Sequence, residues 1–122
     1  MKYILILFIS FIPFWGFAQE CDKTVFEAHE VVGQKATVCG VLMQVASPKG
    51  IRGNPTYLNM GKRYPDHPFT VVIWGRDFMQ FPMGQLKSYE GKQIAVTGLV
   101  EEYRGKPQIV VKEVGQIVLI EE

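Results

Sequence analysis

Two short runs place aromatic and hydrogen-bonding side chains at alternate positions: Thr56-Tyr57-Leu58-Asn59-Met60 and Phe69-Thr70-Val71-Val72-Ile73-Trp74. In an extended chain successive side chains point to opposite faces. With Leu58, Met60, Phe69, Val71 and Ile73 turned to a core, Tyr57, Asn59, Thr70, Val72 and Trp74 share the outer face. That set offers two aromatic plates and two hydrogen-bonding side chains. Nucleobases stack on such plates for about 1–3 kcal/mol each with little sequence preference, and sugar rings can use the same surface. Lys49, Arg52, Lys62, Arg63, Arg104 and Lys106 lie in the turn-rich segments around these runs, where a phosphate backbone would meet them. The candidate ligand-binding residues are therefore Tyr57, Asn59, Thr70 and Trp74, with Lys62, Arg63, Arg104 and Lys106.

Other chemistries lack their residues. His29 and His67 are the only histidines, and with Cys21 and Cys39 they do not form the close ligand pairs of a zinc site. His67, between Asp66 and Pro68, reads as a turn residue. Asp66 and Asp77 are separated by a whole strand, whereas metal-assisted phosphoryl chemistry needs clustered carboxylates. No nucleophile elbow, P-loop or dinucleotide fingerprint occurs. The expectation is a protein that binds rather than transforms, with no catalytic residue, metal or cofactor.

The chain opens MKYILILFISFIPFWGFAQE, one cation ahead of an apolar run and then the small-residue site Gly16-Phe17-Ala18. This predicts a secretory signal peptide cut after Ala18. The run is shorter than the roughly 20 apolar residues of a spanning helix and contains Pro13, so no membrane span is expected after cleavage. The expected location is secreted or periplasmic. Residues 19–32 then form an N-terminal segment and residues 33–122 one domain. Cys21 and Cys39, an even pair in a chain bound for an oxidising compartment, are expected to form a disulfide.

Removing Lys2 with the signal leaves twelve basic and twelve acidic side chains. A formally neutral protein attracts phosphate only through local clustering. Such clustering exists: Lys49, Arg52, Lys62, Arg63 and Arg76 are opposed only by Asp66 between Ser47 and Arg76, while acids gather towards the ends.

The elements that must position these residues are mostly strands. Thr24 to Glu30 has a helix-compatible composition that ends before Gly33. Lys35 to Val45 reads as the first strand, with Gly40 as its bulge or bend. Thr56 to Met60 and Phe69 to Trp74 are the second and third. Arg76 to Leu86 breaks the period of two and predicts a short helical or irregular plug carrying Phe78, Phe81 and Leu86. Gly91 to Val100 repeats the grammar of Gly33 to Leu42, a glycine, a polar pair, alternating apolar residues and a second glycine seven positions on. Such glycines suit strands that bend at barrel corners. Tyr103 to Pro107 is a hairpin tip, Gln108 to Val111 the last strand, and Val114 to Ile120 extends or closes it.

Five strands with a plug between the third and fourth and a final hairpin are the layout of the OB-fold, an all-β five-stranded Greek-key barrel. Val38-Cys39-Gly40-Val41, Tyr57-Leu58-Asn59-Met60, Phe69 to Trp74, Val96-Thr97-Gly98 and Arg104-Gly105-Lys106-Pro107-Gln108-Ile109 together resemble the nucleic-acid-binding OB domains of the tRNA-anticodon type, over Gly33 to Ile120. Where those domains have an Asp-Gly type turn between the second and third strands, this chain has the longer, basic Gly61 to Pro68 loop. The resemblance implies a ligand on the face of strands two and three, framed by the loops after strand one and between strands four and five. Single-stranded nucleic acid is the leading expected partner. An oligosaccharide on the same face, or a protein pairing with an edge strand, is the alternative.

Overall fold

Glycine-bounded alternating runs can bury one face only by pairing with neighbours, and here they pair into a closed cylinder. The computed structural model describes residues 20–121. Among them the chain forms seven strands: β1 (Lys23–Thr24), β2 (Lys35–Ala46), β3 (Thr56–Met60), β4 (Phe69–Ile73), β5 (Gln93–Tyr103), β6 (Lys106–Val110) and β7 (Ile117–Glu121). Strand β2 is long enough to serve two partners. Its first half pairs antiparallel with β5, Lys35↔Leu99 to Val41↔Gln93, and its second half with β3, Gln44↔Asn59 and Ala46↔Tyr57. Strands β3 and β4 are antiparallel, β4 and β6 parallel, and β6 and β5 antiparallel, which closes the ring β2-β3-β4-β6-β5.

Those five strands are the expected ones in the expected order, an all-β OB-like barrel. Two further strands enlarge it. Strand β1 lies parallel to β2, and β7 pairs antiparallel with β5 rather than continuing the last strand. The reason for the second is local. Gln116 ends a 3-10 turn (Val114–Gln116), accepts the N–H groups of Lys112 and Glu113 on Oε1, and donates from Nε2 to the Thr97 carbonyl at 2.9 Å, which swings the chain onto β5. The leader expected over residues 1–18 lies outside the described residues. No helix among the described residues is long and apolar enough to cross a membrane.

The core is the inner face of the cylinder. Leu58, Met60, Phe69, Val71 and Ile73 are all fully buried, as alternation requires, alongside Leu42, Ile94, Val96, Val100 and Ile109. Each such side chain contributes on the order of 2 kcal/mol by leaving water. The plug is two single-turn helices, α1 (Gly75–Phe78) and α2 (Gln85–Ser88), with Phe81 and Leu86 buried and Phe78 packed against the core. The N-terminal helical turn is a 3-10 helix over Ala28–Val31, later than expected, because Lys23 and Thr24 are drawn out to pair with β2. Cys21 is bonded to Cys39, and Asp22 exchanges bonds with Thr37, its N–H reaching the Thr37 carbonyl and its Oδ2 accepting the Thr37 N–H, both at 2.8 Å.

The bulge expected at Gly40 lies elsewhere. The bulge of β2 falls between Leu42 and Gln44, at Met43, while Gly40 pairs regularly with Ile94. Gly40 and Gly98 instead make room. A Cβ on Gly40 would lie 2.7 Å from Val25 Cγ1, and one on Gly98 would lie 2.7 Å from Ile109 Cγ2.

Candidate functional site

The ladder register lays out the outer face as rows running across the strands. Ala46, Tyr57, Val72 and Val110 stand side by side on β2, β3, β4 and β6. The next row is polar: Gln44, Asn59, Thr70 and Gln108, ending on β5 at Glu101, whose Oε2 accepts from Gln108 Nε2 at 3.1 Å. Trp74 follows β4 two residues beyond Val72, past the Tyr57 row. Trp74 and the Arg104 turn thus lie at opposite ends of the face, a span of ~20 Å at strand rise.

Trp74 closes one end of this face. Its six-membered ring lies against Gly53, where a Cβ would come 2.9 Å from Cε3. Gly53 has φ +86°, which a side-chain-bearing residue adopts only under strain. The Gly75 N–H donates to the Gly53 carbonyl at 2.9 Å, and Ser47 and Thr56 share a hydroxyl bond of 2.8 Å, so the loop from Ser47 to Pro55 is stitched to the start of α1. Between them opens a groove of about 840 Å³, mostly apolar, lined by Trp74, Phe78, Met79, Asn54 and Thr56, with Arg76 at its rim. Arg76 and Met79 project into solvent, and Lys49 and Arg52 are exposed on the Ser47–Pro55 loop.

The opposite end is basic but partly engaged. Lys62 and Arg104 are exposed, the Arg104 guanidinium lying 5.2 Å from the Tyr103 ring centre. Arg63 donates to the Met43 carbonyl at 3.3 Å, and half-buried Lys106 donates to the Pro65 carbonyl at 2.9 Å. These cations hold the Gly61–Pro68 loop across the polar row.

Tyr57, Thr70 and Trp74 are half-exposed where alternation puts them. Asn59 is not the free hydrogen-bonding group expected: it points outward yet is 4% exposed, because the loop covers it and its Nδ2 donates to Gln44 Oε1 at 3.2 Å. Val72, on the same face, is also buried, at 4% exposure. His67 does sit in the loop but at 6% exposure is far more buried than a turn role requires. Burial pushes its pKa down, Lys106 adds to this, and Asp66 opposes it. Gln44, His67, Gln108 and the groove residues Arg76 and Met79 were not singled out as site residues from the sequence. The aromatic and proline density of Tyr64-Pro65-Asp66-His67-Pro68 was the one available signal.

The chain matches no protein-family model and no curated protein. Solved structures do match. An OBody bound to hen egg-white lysozyme superposes with a TM-score of 0.53 at 14% identity, over 85% of this chain and 96% of that one. A protein described as an aspartyl-tRNA synthetase of Leishmania major Friedlin superposes with a TM-score of 0.52 at 12% identity, over 85% of this chain. The fold is OB-like. At such identities the likeness carries the OB-like barrel alone, and the chain spans about a fifth, 21%, of the synthetase.

Proposed function

We propose that this OB-like barrel is an exported binding domain that takes single-stranded nucleic acid across the β3/β4 face, with no catalytic role and no resident cofactor. One observation carries the reading: Trp74 stands half-exposed with one side of its ring set on Gly53, diagonal to Tyr57, and exposed cations lie at both ends of the face they share. A ring held in place loses little entropy when a base stacks on it, so it is a prepared platform. Arg76, Arg52 and Lys49 at one end, and Lys62 and Arg104 at the other, supply the local positive charge that a neutral chain otherwise lacks. The tRNA-anticodon resemblance supports the same ligand class. Export rests on the leader pattern of the first eighteen residues and on the disulfide, which persists in oxidising compartments.

The second reading is a protein- or oligosaccharide-binding module. It is favoured by the predominantly apolar Trp74–Met79 groove, and one OB-like neighbour is described in complex with lysozyme.

In the chain from Gln19 onward Trp74 is the lone tryptophan, so its emission reports directly on the face. Titration with an oligothymidylate at low and moderate salt is expected to quench it, with affinity falling as salt rises. No response at either salt rejects nucleic acid, and salt-independent binding of a glycan or envelope protein supports the second reading.

A further inference from the structure

The loop from Gly61 to Pro68 joins two adjacent antiparallel strands, a task for which two to five residues suffice. It does more than connect. The Tyr64 N–H donates to Gln44 Oε1 on β2 at 3.2 Å, and Arg63 donates to the carbonyl of Met43, which the bulge of β2 presents. On the far side Lys106 Nζ, on β6, donates to the Pro65 carbonyl at 2.9 Å. These anchors on β2 and β6 straddle β3 and β4, so the loop folds back over the polar row at the Met60–Phe69 end of the face. Asn59 on β3 is 4% exposed, and the loop's own His67 is turned inward at 6% exposure.

Two of the anchors are cations resting on neutral carbonyls. A phosphate oxygen is the stronger acceptor for both, since it sets a full negative charge against each cation where a carbonyl offers only a dipole. We propose that the Gly61–Pro68 loop is a strap over the polar row of the face, displaced when a nucleic-acid phosphate takes Lys106 and Arg63 from the Pro65 and Met43 carbonyls, and loosened by acid through His67. This rests on the reading of the face as a nucleic-acid site.

His67 fits the acid-sensitive part by its placement. Its Nδ1 is buried with no hydrogen-bond partner among the described residues, and its ring stacks on Tyr64 with centroids 5.7 Å apart. The charged groups that face it are Lys106 on β6 and Asp66 in its own loop. Burial and Lys106 disfavour the imidazolium more than Asp66 favours it. The closed strap therefore holds a neutral histidine, and opening lets it take up a proton. Closure is complete above the ordinary histidine value of 6.5 and is lost progressively as pH falls below it.

Amide hydrogen exchange of segment 61–68, corrected for intrinsic pH dependence, reads strap opening without any ligand. At about pH 5.5 the wild-type segment is expected to exchange severalfold faster than at about pH 7.5, because a protonated His67 favours the open loop. His67→Phe, which keeps a ring in the site, should lose the pH response, and Lys106→Met should exchange faster at both values. Gln44→Ala removes the acceptor of the Tyr64 N–H while keeping both cations, and is expected to bind an oligothymidylate about 3- to 10-fold tighter than wild type. Exchange indifferent to pH and to Lys106→Met overturns the strap, as does wild-type binding that Gln44→Ala fails to tighten. If exchange behaves as expected while neither protein binds the oligonucleotide, the nucleic-acid reading falls and the acid-loosened strap stands.

Discussion

Gly53 lies flat against the Trp74 ring, so closely that a Cβ added to it would sit 2.9 Å from Cε3 and 3.1 Å from Cζ3. The contact explains why the loop after β2 carries a glycine there with φ +86°. Gly53→Ala meets two penalties together, a left-handed backbone and a ring that must move. The expected outcome is a loss of about 1–3 kcal/mol in denaturant-midpoint stability, with a shift in Trp74 emission that Gly50→Ala does not produce. Gly50 has φ +84° but open space around it, so equal emission shifts in the two variants would show that the ring contact plays no part.

Removal of the platform should cost more than removal of a cation. Trp74→Leu is expected to weaken oligothymidylate binding by about 1–3 kcal/mol at every salt concentration. Arg76→Gln, which exchanges an exposed rim cation for a neutral side chain, is expected to weaken it modestly and to reduce the slope of log affinity against log salt by about one unit. Isothermal titration at three salt concentrations separates the two. Equal salt slopes in Arg76→Gln and wild type place the phosphates away from the groove.

The legible parts of the molecule are those fixed by short-range pattern. Thr56–Met60 matches its predicted strand end to end, because a period of two over five residues admits one set of inward side chains. The cysteine pair was readable from parity and compartment. Strand β1 was not, since Lys23 and Thr24 have no periodicity and are held on β2 by the Cys21–Cys39 bond and the Asp22–Thr37 pair. The covered state of Asn59 and His67 was equally out of reach. It depends on where an eight-residue loop lands relative to Gln44 and Lys106, which are 62 positions apart in sequence and flank the loop only once the barrel has closed.

The disulfide joins residues 18 apart and pins the N-terminal segment whose Val25 packs over Gly40. It should stabilise by about 3 kcal/mol, chiefly by restricting the unfolded chain. Reduction and alkylation are therefore expected to lower the urea midpoint while leaving the Trp74 emission of the native state unchanged, because the Gly53 contact lies outside the segment that is freed. A reduced protein with altered native emission would show that the N-terminal segment supports the binding face as well as the core.

Glu90 reaches back to β2, where its Oε2 accepts the Val45 N–H at 2.7 Å, and Lys87 lies 3.3 Å away. The Val45 bond holds the carboxyl below its ordinary value of 4.5, with Lys87 assisting and partial burial opposing. A carboxylate with a lowered folded pKa contributes stability that is present above the unfolded value and is lost as pH falls through the folded one. Glu90→Gln is expected to cost about 1 kcal/mol at neutral pH, the lower part of the range for a charged acceptor because the side chain is partly in water. The difference between variant and wild type should close as pH falls through the lowered folded value, where the wild-type carboxyl becomes protonated as well. Urea midpoints measured at neutral and acid pH decide it: a gap of equal size at both would mean that Glu90 acts by packing and that its charge on the Val45 amide contributes nothing.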